Sequence, residues 1–183
     1  AIARRKSNVS TVPRIGLPNK QIVKLRYSDV YNLGSGASPS GHTLVLNSLY
    51  DPDSTGTGHQ PRLFDEFAAL YQRYRVTHCD VKVTFVDDHA NSTIPFTVGT
   101  FLRPVGTSTQ TYLSNIAEIK SGVLQHSSGT GQNPLVHKRR ISLNNVFGLI
   151  KAQYLAEENY SALINANPAN KAYFTMQTHN ISG

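Results

Sequence analysis

The sequence predicts an all-β sandwich, with a single eight-stranded jelly roll as the leading arrangement, on three observations. Short segments alternate apolar and polar residues with a period of two, the pattern by which an antiparallel strand separates a core face from a wet one. Turn-forming patches rich in Gly, Ser and Pro recur at 34–41, 51–58, 106–111 and 127–134, none long enough to link two domains. Charged residues make up 16% of the chain, below the roughly 25% of an ordinary soluble domain. Ser, Thr, Asn and Gln fill the deficit, a balance that β-rich proteins tolerate better than helical ones.

The elements follow in order. Residues 1–19 carry Pro13 and Pro18 and no periodicity, so they are expected to form an arm, and 20–183 one folded domain. In 20–32, Val23, Leu25 and Tyr27 share one face and Lys24, Arg26 and Ser28 the other, predicting a first strand. A second strand falls in 42–50, where Leu44, Leu46 and Ser48 alternate with Val45, Asn47 and Leu49. In 78–88, Cys79, Val81, Val83 and Phe85 oppose Asp80, Lys82 and Thr84. The run 92–102 places Ile94, Phe96 and Val98 on one side, and Pro95 points to an edge strand or a bulge. Segments 134–143 and 172–180 supply two more strands. One stretch breaks the pattern: in 61–75, Leu63, Phe67, Leu70, Tyr71 and Tyr74 recur at helical spacing, behind Pro61 and with Asp65 and Glu66 in the first turn. Shorter helices are expected at 112–119, 144–150 and 156–163.

At 183 residues a single core suffices, burying roughly 70% of the surface the unfolded chain exposes. Cys79 is the sole cysteine, which excludes an intrachain disulfide and a cysteine-built zinc site. No apolar run approaches the ~20 residues of a membrane span, and no signal peptide is evident. Because the chain opens at Ala1 rather than Met, a processed or trimmed product is expected.

The charge of +7 is concentrated at one end. Arg4, Arg5, Lys6, Arg14, Lys20, Lys24 and Arg26 lie within the first 26 residues with no acid before Asp29. The other 157 residues balance 11 basic against 11 acidic side chains. A neutral body with a basic arm suits a polyanion, and a solvated tail is the plainer alternative. A second basic run, Lys138, Arg139 and Arg140, recurs inside the body.

Motifs of catalysis are missing from the sequence. The seven histidines are scattered and none pairs at zincin spacing. Asp87, Asp88 and His89 fit a divalent cation at a strand end, and equally a turn with solvated charges. Asp51 and Asp53, flanking Pro52, fit a structural Ca²⁺ shared between subunits only weakly. There is no nucleophile elbow and no phosphate loop, and the thiol of Cys79 reads as a small core side chain. No enzyme and no cofactor are expected.

The segment 49–87 reads LYDPDSTGTGHQPRLFDEFAALYQRYRVTHCDVKVTFVD. It resembles capsid proteins of small circular single-stranded DNA viruses that encode a replication initiator. The resemblance rests on the D-P-D turn at Asp51 to Asp53, on Thr55 to Pro61, and on Phe64, Asp65, Leu70, Tyr71, Tyr74 and Val76; more loosely it extends over the chain from about residue 20. It implies a jelly-roll subunit that assembles into a small icosahedral shell, 60 copies in T=1, around single-stranded nucleic acid. Virion location and assembly in a host nucleus follow from the same resemblance. Coat proteins of small RNA or satellite viruses are similar, which leaves DNA and RNA both open. The chain departs from the family in its short arm and in ending soon after 172–180, where a jelly roll has one further strand beside the first. Either the chain is truncated or an open sheet edge must be covered by something else.

If 21–32, 78–86 and 135–143 share the inner sheet, their outward face carries Lys24, Arg26, Lys82 and two of Lys138, Arg139 and Arg140. With Arg4, Arg5, Lys6 and Arg14, these are the candidate nucleic-acid contacts. The alternatives are a monomeric carbohydrate-binding type of jelly roll and a cupin-like enzyme; the second lacks clustered metal ligands.

Overall fold

A computed structural model describes residues 16–34, 39–87, 95–106, 109–127 and 134–180. In chain order the elements are β1 (Ser40–Val45), α1 (Phe64–Ala68), β2 (Arg73–Tyr74), β3 (His78–Phe85), β4 (Phe96–Arg103), α2 (Leu113–Glu118), β5 (Val123–His126), β6 (Leu135–Ser142), α3 (Leu143–Val146), α4 (Lys151–Ala156), a 3-10 turn at Glu158–Tyr160, β7 (Ala162–Leu163) and β8 (Tyr173–Asn180). One sheet runs β1-β8-β4-β5; β3 pairs with β6 and β2 with β7, and every pairing is antiparallel. The chain is thus an all-β sandwich of jelly-roll type with short helices in its connections.

The two larger sheets face each other through side chains that alternate inward. Phe85 from β3 and Ile141 from β6 meet Val98 from β4 and Phe174 and Met176 from β8. β4 and β8 are buried on both faces, Thr97, Thr100, Thr175 and Gln177 included. A second cluster, Leu143, Tyr154, Tyr160 and Ala172, closes one end. There the Tyr154 hydroxyl donates to the carbonyl of Val76 at 2.7 Å. Arg75 donates to the carbonyls of Tyr154 and Glu157 at the end of α4, where helix carbonyls lack partners. Cys79 donates to the Leu46 carbonyl, and burial pushes its thiol up to about 12; it packs against both clusters, as a small core side chain does.

Five expectations are corrected. The helix predicted over 61–75 is only Phe64–Ala68, because Tyr74 belongs to β2: its hydroxyl donates to the Ala166 carbonyl at 2.8 Å and β2 pairs with β7. Leu63 and Leu70, two of the residues carrying the helical pattern, stay exposed. Pro95 marks no edge strand: β4 is central, and the proline stands one residue before its first pair, where no ladder N–H is lost. The helix expected at 144–150 is cut short, with α3 ending at Val146 and the next helix, α4, starting only at Lys151, and 156–163 holds the 3-10 turn and β7 instead of a helix. Finally, 21–32 forms no strand; its backbone makes an isolated bridge, Arg26 with Arg62. A strand requires a neighbour, and β3 pairs with β6 rather than with this segment.

Gly122 is required by close approach. A Cβ there would stand 1.9 Å from the carbonyl oxygen of Ile116, so even alanine must displace backbone. Gly122→Ala is expected to destabilise the fold by about 1–3 kcal/mol, read from the midpoint of a urea unfolding curve.

Candidate nucleic-acid interface

The pairing of β3 with β6 builds a basic face from period-two geometry. In register, Asp80 stands opposite Arg140, Val81 opposite Arg139, and Lys82 opposite Lys138. Side chains on successive residues point to opposite sides, so His78, Asp80, Lys82, Thr84, Val136, Lys138 and Arg140 are exposed while their alternates turn inward. Asp80 gathers two cations: Lys24 at 3.2 Å and Arg140 at 3.3 Å. Lys24 thereby joins the face from outside the sheet. Lys82 and Lys138 oppose each other directly, a like-charge pair that destabilises a sheet unless an anion lies across it.

Arg139 points the other way. It is half-buried, donates to the carbonyl of Ser121, and burial holds its pKa below the usual arginine range. The run of three basic residues therefore divides into two surface cations and one that braces β6 against the β5 side. Arg26 is exposed, and its carbonyl accepts from the Arg62 N–H at 3.2 Å. Arg4, Arg5, Lys6 and Arg14 lie outside the described residues, as do Asp88 and His89.

Of the weak calcium candidates, Asp53 has internal partners for its carboxylate. Asp53 is 3% exposed; one carboxylate oxygen accepts from the Thr55 N–H and hydroxyl. Its other oxygen lies 3.0 Å from His42 Nε2, a contact that is ionic only with the imidazole protonated. Asp51 donates its N–H to the Ser48 hydroxyl. Among the described residues no group of three or more His, Cys, Asp or Glu could hold a metal.

Around Asp53 the D-P-D and T-G-T-G-H residues build a clasp that sequence reasoning did not resolve. His42 stacks on Tyr31 at 3.7 Å and His59 on Tyr27 at 4.6 Å, and the two tyrosine hydroxyls share a hydrogen bond of 2.8 Å. The contacts tie the 21–33 segment to the 51–60 loop. Gly58 permits the approach, since a Cβ there would meet Asp53 Cβ at 2.6 Å. Both ring nitrogens of His59 face carbonyls, Gln60 at 2.8 Å and Ser28 at 2.9 Å. A neutral imidazole donates once and an imidazolium twice, so these carbonyls raise the His59 pKa. In contrast, burial lowers the pKa of His137 and of His179.

The signs oppose. The His59 contribution is complete below the unfolded value of about 6.5 and is lost as pH rises through the higher folded value. His137 and His179 act in the other direction: as pH falls through about 6.5 the unfolded chain takes up protons that the folded chain refuses, and stability drops until the lower folded values are passed. Acidification is therefore expected to tighten the clasp and weaken the sandwich. Histidine NMR titration checks it, with the His59 midpoint above, and the other two below, the free value.

No protein-family model and no curated protein matches the chain. Among solved structures, a chain of empty-head turnip yellow mosaic virus matches at 12% identity and a TM-score of 0.34, over 89% of this chain and 80% of that one. No helix among the described residues is long and apolar enough to cross a membrane.

Proposed function

We propose that the chain is a capsid subunit that self-associates into a closed shell and packages single-stranded nucleic acid, with DNA the genome type implied by the 49–87 motif. The reading is supported chiefly by one observation: Lys82 and Lys138 are paired across β3 and β6 with no acid between them, beside Lys24 and Arg140. A polyanion laid along this face removes their repulsion. The basic arm, residues 1–19, adds Arg4, Arg5, Lys6 and Arg14 to the same task. Contacts of this kind hold phosphates and carry no sequence code. Virion location, 60 copies and assembly in a host nucleus belong to the same proposal.

The test is mass and nucleic-acid content of the purified protein, by light scattering with electron microscopy, at about 50 mM and about 500 mM salt. Uniform closed particles with nucleic acid that salt strips away are expected. A monomer of 20.1 kDa that carries no nucleic acid at either ionic strength would overturn the reading in favour of a monomeric binding module.

A further inference from the structure

β8 turns Phe174 and Met176 toward the core, so Thr175, Gln177 and His179 share its opposite face. A strap, residues 109–122, lies over that face. Gly41 on β1 and Gly99 on β4 flank Gln177 in register and leave the strap its room. A Cβ at Gly41 would stand 2.6 Å from the Thr109 methyl, and one at Gly99 2.7 Å from Ile116 Cδ1. Gln177 is fully buried and holds one end of the strap as a neighbouring strand would. Its Oε1 accepts from the Gln110 N–H at 2.8 Å, and its Nε2 donates to the Gln110 carbonyl at 3.0 Å. The other end is pinned by Ser121, whose hydroxyl accepts from the Leu102 N–H at 2.8 Å and donates to the Leu102 carbonyl at 3.0 Å.

The two bonds to Gln110 also fix a protonation state. A backbone N–H only donates and a carbonyl only accepts, so the Gln177 amide has one orientation. Its Nε2 also donates to His179 Nε2, a nitrogen that must therefore be the unprotonated one. An imidazolium has no acceptor. We infer that His179 is a proton-operated latch: protonation at Nε2 sets donor against donor, turns the Gln177 amide over and releases the 109–112 end of the strap. The turned amide faces its NH₂ to the Gln110 N–H and its oxygen to the Gln110 carbonyl, so both bonds are lost together. His179 is itself buried, and burial lowers its pKa, which places release on the acid side of about 6.5. Across β4 the facing titratable group is His126, in register with Thr97 as His179 is, with its Nδ1 2.7 Å from the Thr97 hydroxyl. His137 meets Thr100 from the core side of β4, and β1 brings only Ser40 and Gly41 beside Gln177 and Thr178. Glu118, Lys120 and Arg103, the last over the Phe101 ring, lie toward the Ser121 end. Every group of the latch belongs to one subunit, so the inference depends on neither nucleic acid nor shell.

The test reads amide protection factors, with the intrinsic exchange rate at each pH divided out, on the full chain without nucleic acid between about pH 7.5 and about pH 4.5. Protection of the Gln110 amide is expected to fall about 10-fold on acidification, the worth of one to two net hydrogen bonds, while Leu102 at the pinned end changes far less. His179→Gln keeps an acceptor that does not titrate and is expected to flatten the Gln110 profile; His126→Gln should leave it as it is. Gln177→Glu is expected to reverse its sign, because a carboxylate accepts from the Gln110 N–H and pairs with an imidazolium, so protection rises until the carboxylate itself titrates. That reversal keeps the test open if the first variant loosens β8. Nitrogen NMR of the imidazole at neutral pH should find the proton on Nδ1. A proton on Nε2, a fall at Gln110 that survives His179→Gln, an equal fall at Leu102, or a Gln177→Glu profile of unchanged sign would each overturn the inference.

Discussion

Replacing Lys82, Lys138 and Arg140 together by glutamine is expected to reduce single-stranded nucleic-acid binding by about two to three orders of magnitude at 50 mM salt. The magnitude follows from counterion release: each phosphate contact contributes roughly 0.7 to the slope of log K against log[salt] on a single strand, so three contacts remove about 2. Native and variant affinities should then converge toward 1 M salt. Fluorescence anisotropy with a labelled oligonucleotide, repeated across a salt series, measures both slope and convergence. Stability should move in the opposite sense or not at all. All three side chains are exposed, the Arg140–Asp80 pair is a surface contact of little worth, and removing the Lys82–Lys138 opposition relieves repulsion. Arg139→Gln is the contrast: it removes a half-buried donor to the Ser121 carbonyl, so it should lower the unfolding midpoint and leave the salt slope unchanged. If instead the triple variant binds with an unaltered slope, the β3–β6 face is not a phosphate surface and the reading of the protein as a genome-packaging subunit loses its main support.

The difference between Arg139 and its neighbours shows what the sequence could and could not tell. Period-two alternation requires that neighbouring basic residues diverge, so two of the three had to share a face. Which two depends on the phase of the strand, fixed here by Leu135, His137 and Ile141 turning toward the core. The strand 78–85 was legible because it alternates without interruption, whereas 135–142 and 173–180 alternate only in part, with Leu135 beside Val136 and Tyr173 beside Phe174. The two-residue strands β2 and β7 were not, since two residues carry no period and the aromatic spacing around them mimics a helix. Segment 21–32 alternates as well as any strand, yet local pattern cannot say whether a partner edge exists. The clasp was illegible for a similar reason: Tyr27, Tyr31, His42 and His59 are spread over 33 positions, and only the approach of two loops brings their rings together. Asp80 as the hub for Lys24 and Arg140 depends on contacts 56 and 60 residues apart in sequence, beyond any motif.

Phe174→Ala is expected to be the most damaging single truncation of the core. Phe174 is fully buried at the middle of the sandwich, on a strand hydrogen-bonded on both sides: it pairs with Leu44 of β1 and Leu102 of β4. Its ring packs in the cluster formed with Val98, Phe85, Ile141 and Met176. Because β8 is held by two ladders, the backbone cannot collapse into the space the ring leaves, and the cavity persists. Loss of transfer free energy and an unrelaxed cavity together cost about 3–5 kcal/mol for a buried phenylalanine. For a chain of this length that corresponds to a fall in Tm of roughly 6–20 °C, measurable by calorimetry or circular dichroism. Val23→Ala serves as the internal reference. Its side chain is 42% exposed on a segment with no sheet partner, and the change should stay within about 0.5 kcal/mol. Equal effects at the two positions would mean that the two sheets do not share one core. The sandwich, and with it the register that places Lys82 opposite Lys138, would then have to be redrawn.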